Sequence, residues 1–245
     1  MDFAAIETAT EWCSVALWRD GDIVSLERRA GPRQGEYVLP MLNQLLQRAH
    51  LGVGDLDAIA YGAGPGAFTG LRIACGVAQG LAFAHDLPVI GISTLEATAE
   101  ESGATRVFVA LDARMHEVYY AAYEKSSGSA PYGAPCGSPC GSPYGAPWHA
   151  LLPARCAPPD AVEIPAGDGW LGCGSGFAVY AERIEPRLRG VLARIAPEVR
   201  TSAVAVARLA APRLAAGEGV DAALATPHYV RDKIALTSAE QAGRR

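Results

Sequence analysis

The stretch GAGPGAFTGLR, residues 62–72, places glycines at positions 62, 64, 66 and 70 around a proline and ahead of an apolar segment. Such glycines let the backbone approach a phosphate at a helix N-terminus, or let two segments of the chain pack closely. The stretch lacks the Gly-Lys-Ser/Thr of a phosphate-binding loop, and its spacing is not G-x-G-x-x-G. The residues alone leave both interpretations open. Thr69 is the expected N-cap of the helix that follows.

Short apolar segments around this stretch predict an α/β fold with a mixed sheet. Asp20-Gly21 has the composition of a tight hairpin turn between two strands. Strands are expected over residues 2–8, 13–19, 23–29, 58–64, 89–93, 106–113 and 117–125, and helices near the C-terminus over 177–188 and 201–216.

Two further helices are predicted over residues 36–50 and 70–85. The first has apolar residues at helical spacing, and Leu39 widens its apolar stripe beyond one face, while Pro40 is expected in its first turn. In the second, small residues recur every four positions, with Ala74, Ala78 and Ala82 on one face and Gly76 and Gly80 on another. Small residues at this spacing allow another backbone to come close.

Composition limits the function classes. The chain has 245 residues, 50% of them hydrophobic and 19% charged, which suffices for one large or two small compact domains. Its formal net charge of -5 lacks the electrostatic pattern of a protein that binds nucleic acid by itself, so a partner would have to hold any RNA. No apolar run reaches the length of a membrane span, and the N-terminal residues do not resemble a signal peptide, so we expect a cytoplasmic protein.

A tetrapeptide repeat interrupts the second half of the chain. Tyr132–Pro147 reads YGAPCGSPCGSPYGAP, four copies of a Tyr/Cys-Gly-Ala/Ser-Pro unit, which predicts an irregular loop; an aromatic and proline-rich docking strip is the alternative. Two of the six cysteines, Cys136 and Cys140, lie inside it. The cysteines form no C-x-x-C pair, so neither a zinc site nor a disulfide framework is indicated.

Two groups of polar residues are candidates for chemistry. A turn with hydroxyls after the first strand can hold a phosphate when an acid positions a metal, or it can be an ordinary hairpin; its residues are Glu7, Thr8, Thr10 and Ser14. The segment LDARMHEVYY offers Asp112, Arg114, His116 and Glu117, of which the first three would share a strand face. Either His116 and Glu117 act as an acid and a base, or the segment is a charged hairpin turn. No G-x-S-x-G motif supports a Ser-His-Asp site.

Four stretches resemble the TsaB family, formerly called YeaZ: AIETATEWCSVALWRDG, GPGAFTGLRIACGVAQGLA, LDARMHEVYYAAY and YVRDKIAL. The resemblance covers the chain from end to end except the repeat. It implies the two-lobed α/β fold of the actin-like, Hsp70-like and sugar-kinase (ASKHA) superfold, with mixed sheets. Residues 1–105 would form the N-terminal lobe, and residues 106–245 the second lobe with an insert at 131–148.

The resemblance also implies a function without catalysis. A TsaB-like protein is a scaffold or dimerisation subunit that binds TsaD, and with it TsaE. The complex transfers threonylcarbamoyl from its adenylate to N6 of the adenosine next to the tRNA anticodon. The chain would contact tRNA only through the complex, need no cofactor because its partners use the ATP, and carry no metal. In agreement, the helix start QGEYVLP lacks the His-x3-His pair of catalytic relatives, and Glu7 stands where the family usually has Asp.

The family's partner surface corresponds here to the helices at 36–50 and 70–85, which would pack against the equivalent pair of TsaD as a four-helix bundle. The residues implied are Leu39, Leu42, Leu45, Leu46, Thr69, Arg72, Ala74, Val77, Ala78 and Leu81. A large charged residue at Ala78 should then abolish partner binding and leave the monomer folded. Glu7, Thr8, Thr10 and Ser14 would be a vestigial phosphate site.

Several alternatives remain open at the level of the sequence. One is an ATP-binding or ATP-hydrolysing member of the same superfold, and another, less favoured, is a peptidase. The isolated chain could form a homodimer through the same helices. The basic residues Arg231, Lys233, Arg244 and Arg245 could contact tRNA or TsaE, or be solvated.

Overall fold

The computed structural model describes residues 1–126 and 148–231 and contains two five-stranded mixed sheets. The first has the order β3-β2-β1-β4-β5, from β1 (Asp2–Glu7), β2 (Trp12–Arg19), β3 (Asp22–Arg29), β4 (Ala58–Gly64) and β5 (Val89–Ser93). The second has the order β10-β9-β6-β7-β8, from β6 (Arg106–Asp112), β7 (Val118–Lys125), β8 (Trp148–Ala157), β9 (Trp170–Cys173) and β10 (Leu192–Ala196). The helices are α1 (Gln34–Ala49), α2 (Phe68–Phe83), α3 (Thr94–Glu101), α4 (Ser175–Arg187) and α5 (Ala203–Ala215).

The two sheets have the same topology. In each, the first strand pairs antiparallel with the second and parallel with the fourth, as β1 does with β2 and β4, and β6 with β7 and β9. In each, a helix follows the fourth strand, α2 after β4 and α4 after β9. This duplication is the two-lobed α/β fold of the ASKHA superfold, as the family resemblance implies.

The first hairpin forms where the sequence predicts it. Asp20 and Gly21 have φ values of 47° and 105°, the left-handed conformation that a two-residue hairpin turn requires. Alternate residues of β1 then face opposite sides of the sheet: Ala4 and Ile6 pack towards α1 and α2, and Phe3 and Ala5 pack towards α5. Both faces of the first sheet are therefore covered by helices.

The helices α3 and α5 lie between the two lobes and join them. Leu95 and Ala99 of α3 pack into the core of the second sheet, while Ala203, Val206 and Ala210 of α5 pack on the first. The helix α5 thus follows the second sheet in sequence but covers the first. Its apolar residues extend around most of the helix, so they indicated burial without indicating the lobe.

Three predicted details of the interface helices need correction. The helix predicted from residue 36 begins at Gln34, because a 3-10 turn over Gly31–Arg33 leads directly into it. Pro40 therefore lies inside the helix, beyond the first turn. The N-cap of α2 is Ala67 instead of Thr69, and no side chain caps this helix.

Sequence patterns did not reveal α3, β8, β9 and β10. The helix α3 spans only eight residues, β9 spans four residues and includes a glycine, and β8 contains Pro153. The tetrapeptide repeat, with Cys136 and Cys140, lies outside the described residues, and so do Lys233, Arg244 and Arg245. Of the insert predicted over residues 131–148, only Trp148 is described, as the first residue of β8. Within residues 1–126 and 148–231, no helix is long and apolar enough to cross a membrane.

Candidate partner interface and glycine loop

Three of the glycines of residues 62–70 make room for the end of β1 and the loop that follows it. A Cβ at Gly62 would overlap the carboxylate of Glu7, and a Cβ at Gly70 would overlap the carbonyl oxygen of Thr8. At Gly66 a Cβ would lie 2.6 Å from the carbonyl oxygen of Ala9. Real Cβ atoms do not approach other atoms this closely, so each glycine is required by a contact with the chain itself.

The same loop occupies the start of α2. The amide of Ala67 donates to the carbonyl of Ala9 at 2.8 Å, and the hydroxyl of Thr8 donates to the carbonyl of Gly70 at 2.7 Å. The bonded amide belongs to Ala67, the N-cap residue of α2, and no side chain of the described residues caps this helix.

The carboxylate of Glu7 is buried beneath this contact. It accepts hydrogen bonds from the amide of Ala9 at 2.6 Å and from the hydroxyl of Thr201 at 3.0 Å. Burial raises the pKa of Glu7 to about 7, and the hydrogen bonds from Ala9 and Thr201 oppose that rise. The neighbouring Cys13 thiol has its pKa raised to about 11, first by burial and then by the charge of Glu7.

The other residues of the predicted phosphate site also bond within the chain. The hydroxyl of Thr10 accepts from the amide of Trp12 at 3.2 Å, and the hydroxyl of Ser14 accepts from the amide of Ala203, the first residue of α5, at 3.1 Å. The structure thus brings Glu7 and Thr8 together at the glycine loop and directs Ser14 to α5. Glu7, Thr8 and the glycines form a packed junction.

The charged segment after β6 is a turn. Arg114, Met115 and His116 have φ values of 60°, 54° and 61°, so the expectation that His116 shares a strand face with Asp112 is wrong. Asp112 forms an ion pair with Arg114 at 3.1 Å, and Glu117 pairs with Arg231. The charged-turn interpretation of this segment is confirmed.

The structure divides the ten predicted interface residues into two groups. Five lie in the core of the first lobe, each less than 5% exposed, because they face the sheet: Leu42, Leu45, Leu46, Ala74 and Ala78. They cannot contact a partner in this fold, and a large charged residue at Ala78 would disrupt the monomer. Leu39, Thr69 and Arg72 are exposed, and Val77 and Leu81 are partly exposed.

The outward face of α2 includes residues that the prediction did not select as contacts. Gly76 and Gly80 are exposed, and apart from the adjoining helix no atom of residues 1–126 or 148–231 lies within 4 Å of the position a Cβ would take. Ile73 is partly exposed, and Phe83 is 72% exposed. We call the outward residues Leu39, Ile73, Gly76, Val77, Gly80, Leu81 and Phe83 the α1/α2 face.

The two helices meet at the N-terminal part of the α1/α2 face. A Cβ at Gly35 of α1 would lie 3.8 Å from Cδ1 of Ile73. Leu39 is one helical turn beyond Gly35 and therefore on the same side of α1. Near the first turn of α2, the guanidinium of Arg72 lies 3.9 Å from the ring centre of Phe68 and donates to the hydroxyl of Tyr229 at 3.1 Å.

The fold and the site together define a two-lobed ASKHA protein whose glycine loop packs against the end of its own first strand. Among the residues that the structure describes, no group of three or more His, Cys, Asp or Glu side chains could hold a metal ion. This class contains both enzymes and proteins without catalysis, so the fold alone does not assign an activity.

Comparison with known proteins identifies the family. The family described as TsaD, tRNA N6-adenosine threonylcarbamoyltransferase, matches residues 29–238. The chain is 34% identical over 243 residues to the tRNA threonylcarbamoyladenosine biosynthesis protein TsaB of Escherichia coli, covering 96% of each sequence. It is 36% identical over 191 residues to TsaB of Haemophilus influenzae, covering 76% of this chain and 77% of the relative.

A solved structure agrees with this result. YeaZ from Pseudomonas aeruginosa superposes with a TM-score of 0.80 at 36% identity and covers 93% of this chain and 99% of its own. The chain belongs to the TsaB (YeaZ) family.

The buried glycine of α2, Gly70, and the exposed glycine Gly76 give opposite predictions for stability. Gly70→Ala should lower the free energy of unfolding by about 1–3 kcal/mol, because its Cβ has to displace the Thr8 backbone. Gly76→Ala should raise it by about 0.5–1 kcal/mol, because alanine favours the helix and its Cβ has room. Urea denaturation of both variants checks this; equal effects would contradict the packing of Thr8 on Gly70.

Glu7 predicts a specific dependence of stability on pH. Its pKa is higher in the folded state, so this group lowers stability as pH rises from about 4.3, its usual value, to about 7. Glu7→Gln keeps an acceptor for Ala9 and removes the buried charge. We expect the variant to be more stable than the parent above pH 7, by about 3 kcal/mol, with the difference shrinking towards pH 5.

Urea unfolding curves measured between pH 5 and 8 test this expectation. Glu182→Gln is the matched control, because Glu182 is an exposed carboxylate on α4. A difference between Glu7→Gln and the parent that stays constant with pH would show that Glu7 does not titrate in this range.

Proposed function

We propose that this chain acts in tRNA threonylcarbamoyladenosine biosynthesis as a non-catalytic subunit that binds a TsaD-type transferase through the α1/α2 face. The relatives named TsaB carry the name of this pathway, and the family match carries the name of the transferase. The observation that carries the proposal is the pair of exposed glycines, Gly76 and Gly80, in the middle of α2.

No contact within the described residues requires a glycine at either position, because the space around each Cβ position is empty there. Each glycine lowers the stability of a helix by about 1 kcal/mol relative to alanine. Their surroundings, Leu39, Ile73 and Val77, form an apolar surface. A surface that is apolar, with no side chains along one ridge, fits a partner helix that approaches closely.

The residues packed at the glycine loop support a role without catalysis. Here Thr8 and Ala9 pack on Gly66 and Gly70, and Glu7 adds a carboxyl group beside them. The negative charge that Glu7 carries above its pKa of about 7 disfavours a phosphate at this junction.

Charge supports an indirect contact with tRNA. The chain carries a formal net charge of -5, and Arg231, one of the basic residues near its C-terminus, is paired with Glu117. The transferase would therefore hold the tRNA, TsaE would join the pair, and the reaction would take place in the cytoplasm. The apolar α1/α2 face would also allow two copies of the chain to associate when the partner is absent.

Gly80→Arg is predicted to abolish binding of the TsaD-type transferase while the monomer stays folded. The arginine has room in the monomer, but its side chain would stand on the ridge where the partner helix lies. We expect at least a 100-fold weaker Kd by calorimetry and an unfolding midpoint equal to or above that of the parent.

The matched control is Val179→Arg, which adds the same side chain at an exposed position of α4 in the second lobe. It should bind the transferase like the parent. A Gly80→Arg variant that binds normally would contradict the α1/α2 face as the interface. A homodimer of the free chain, if it uses the same face, should dissociate in Gly80→Arg when examined by analytical ultracentrifugation.

A reconstituted reaction tests the role itself. Unmodified tRNA, threonine, bicarbonate and ATP are incubated with a TsaD-type transferase, TsaE and an adenylate-forming synthase, with and without this chain. Modification should depend on the chain and be lost with Gly80→Arg. Modification without the chain would contradict the proposal. Heat released on titrating the chain alone with ATP and Mg²⁺ would instead favour the nucleotide-binding alternative.

A further inference from the structure

The segment Thr226–Arg231 runs from the first lobe to the second without belonging to a helix or strand. It begins against β4, where the hydroxyl of Tyr61 accepts from the amide of Thr226 and donates to its carbonyl, both at 3.1 Å. The amide of His228 then donates to the carbonyl of Ala63 at 2.6 Å. These bonds fix the segment beside the strand that leads into the glycine loop.

The middle of the segment contacts the start of α2. The ring of Tyr229 lies 5.7 Å from the ring of Phe68, and its hydroxyl accepts from Arg72 at 3.1 Å. A Cβ at Gly64 would lie only 2.7 Å from the carbonyl oxygen of His228, and Gly64 has a φ of 115°. Both observations explain why this position is a glycine. The segment therefore packs on both ends of the glycine loop.

The last described residue of the segment anchors it to the second lobe. Arg231 forms an ion pair with Glu117, lies 3.5 Å from the carbonyl of Arg114 and 3.7 Å from the sulfur of Met115, and has a side chain only 15% exposed. Its guanidinium also lies 5.7 Å from the ring centre of Tyr119. All of these partners belong to the turn between β6 and β7 or to β7 itself.

This turn is strained and depends on its surroundings. Arg114, Met115 and His116 are three consecutive residues in the left-handed region, none of them glycine. Such a conformation is unfavourable for residues with a Cβ and persists only where neighbouring contacts hold it. The ion pair of Asp112 with Arg114 holds the turn from within the second lobe, and Arg231 holds it from the other side.

The geometry points to the segment Thr226–Arg231 as a strap that couples the strained turn of the second lobe to the glycine loop and the first turn of α2. While the strap is docked, it fixes the turn and the positions of Phe68 and Arg72 together. Release of Arg231 frees the turn and loosens His228 from Ala63. Since Phe68 and Arg72 adjoin the α1/α2 face, the strap also regulates partner binding, a consequence that rests on the proposed function.

Amide hydrogen exchange of the full chain tests the coupling without any partner. The amides of Ala113 and Glu117 are bonded within the turn at 3.0 Å, and that of His228 is bonded in the strap, so all three report local opening. Arg231→Met should speed exchange of Ala113 and Glu117 at least tenfold. Glu117→Gln, a change in the second lobe, should speed exchange of the His228 amide at least tenfold.

The double variant Arg231→Met/Glu117→Gln should exchange no faster than the faster single variant, because both changes break one contact. Arg183→Met is the matched control: it removes an ion pair with Asp160 at 2.9 Å inside the second lobe and should leave all three amides within twofold of the parent. Unchanged exchange across the lobes in both single variants would overturn the strap. Equal acceleration by Arg183→Met would also overturn it, because the exchange would then report global opening.

Binding of the TsaD-type transferase separates this inference from the proposed function. If the strap regulates the interface, Arg231→Met should weaken binding about tenfold, less than Gly80→Arg. If exchange is coupled between the lobes but transferase binding is unchanged, the strap stabilises the fold only. That result would overturn its proposed regulation of partner binding. Failure of the proposed function would show in a different result, namely normal transferase binding by Gly80→Arg.

Discussion

The contact of the Thr8 and Ala9 backbone with Gly66 and Gly70 is the constraint on which much of the first lobe depends. It joins the end of β1 to the start of α2, so it sets where that helix begins and which of its faces meets the sheet. Because a Cβ at either glycine would push the two segments apart, the contact requires glycine at both positions. The buried Glu7 carboxylate and its bond to Thr201 extend the same junction to α5.

The second lobe uses the same arrangement. The helix α4 follows β9 through Gly172, Gly174 and Gly176, and a Cβ at Gly174 would lie 2.5 Å from the carbonyl oxygen of Ala110 in β6. At Gly176 the corresponding distance to the same oxygen is 2.9 Å. In both lobes a glycine-rich turn thus lets a helix start against the end of the first strand. Glycines in this position serve the packing of the fold and do not by themselves indicate a ligand.

Local patterns in the sequence sufficed for the elements whose stability is mostly local. The strands β1 to β3 and the Asp20-Gly21 turn were predicted because short apolar segments and turn residues lie within a few residues of each other. The strand β8 was not predicted, because Pro153 and the exposed residues of the strand obscure its pattern. Pairing with β7 holds this strand in place. The position of α5 on the first sheet depends on contacts between residues nearly 200 apart in sequence, such as Thr201 with Glu7.

The candidate interface shows why a helical pattern cannot by itself identify a binding surface. On α2, alanine and glycine recur at the same four-residue spacing, and either stripe permits close approach. The structure turns the alanine stripe, with Ala74 and Ala78, towards β-strands of its own lobe and leaves Gly76 and Gly80 outside. Alanine suits the inward stripe because it fills space at a buried contact without a cost in helix propensity. Exposed glycine has no such benefit within the helix, so under the proposed function the partner helix contacts the glycine stripe and not the alanine stripe.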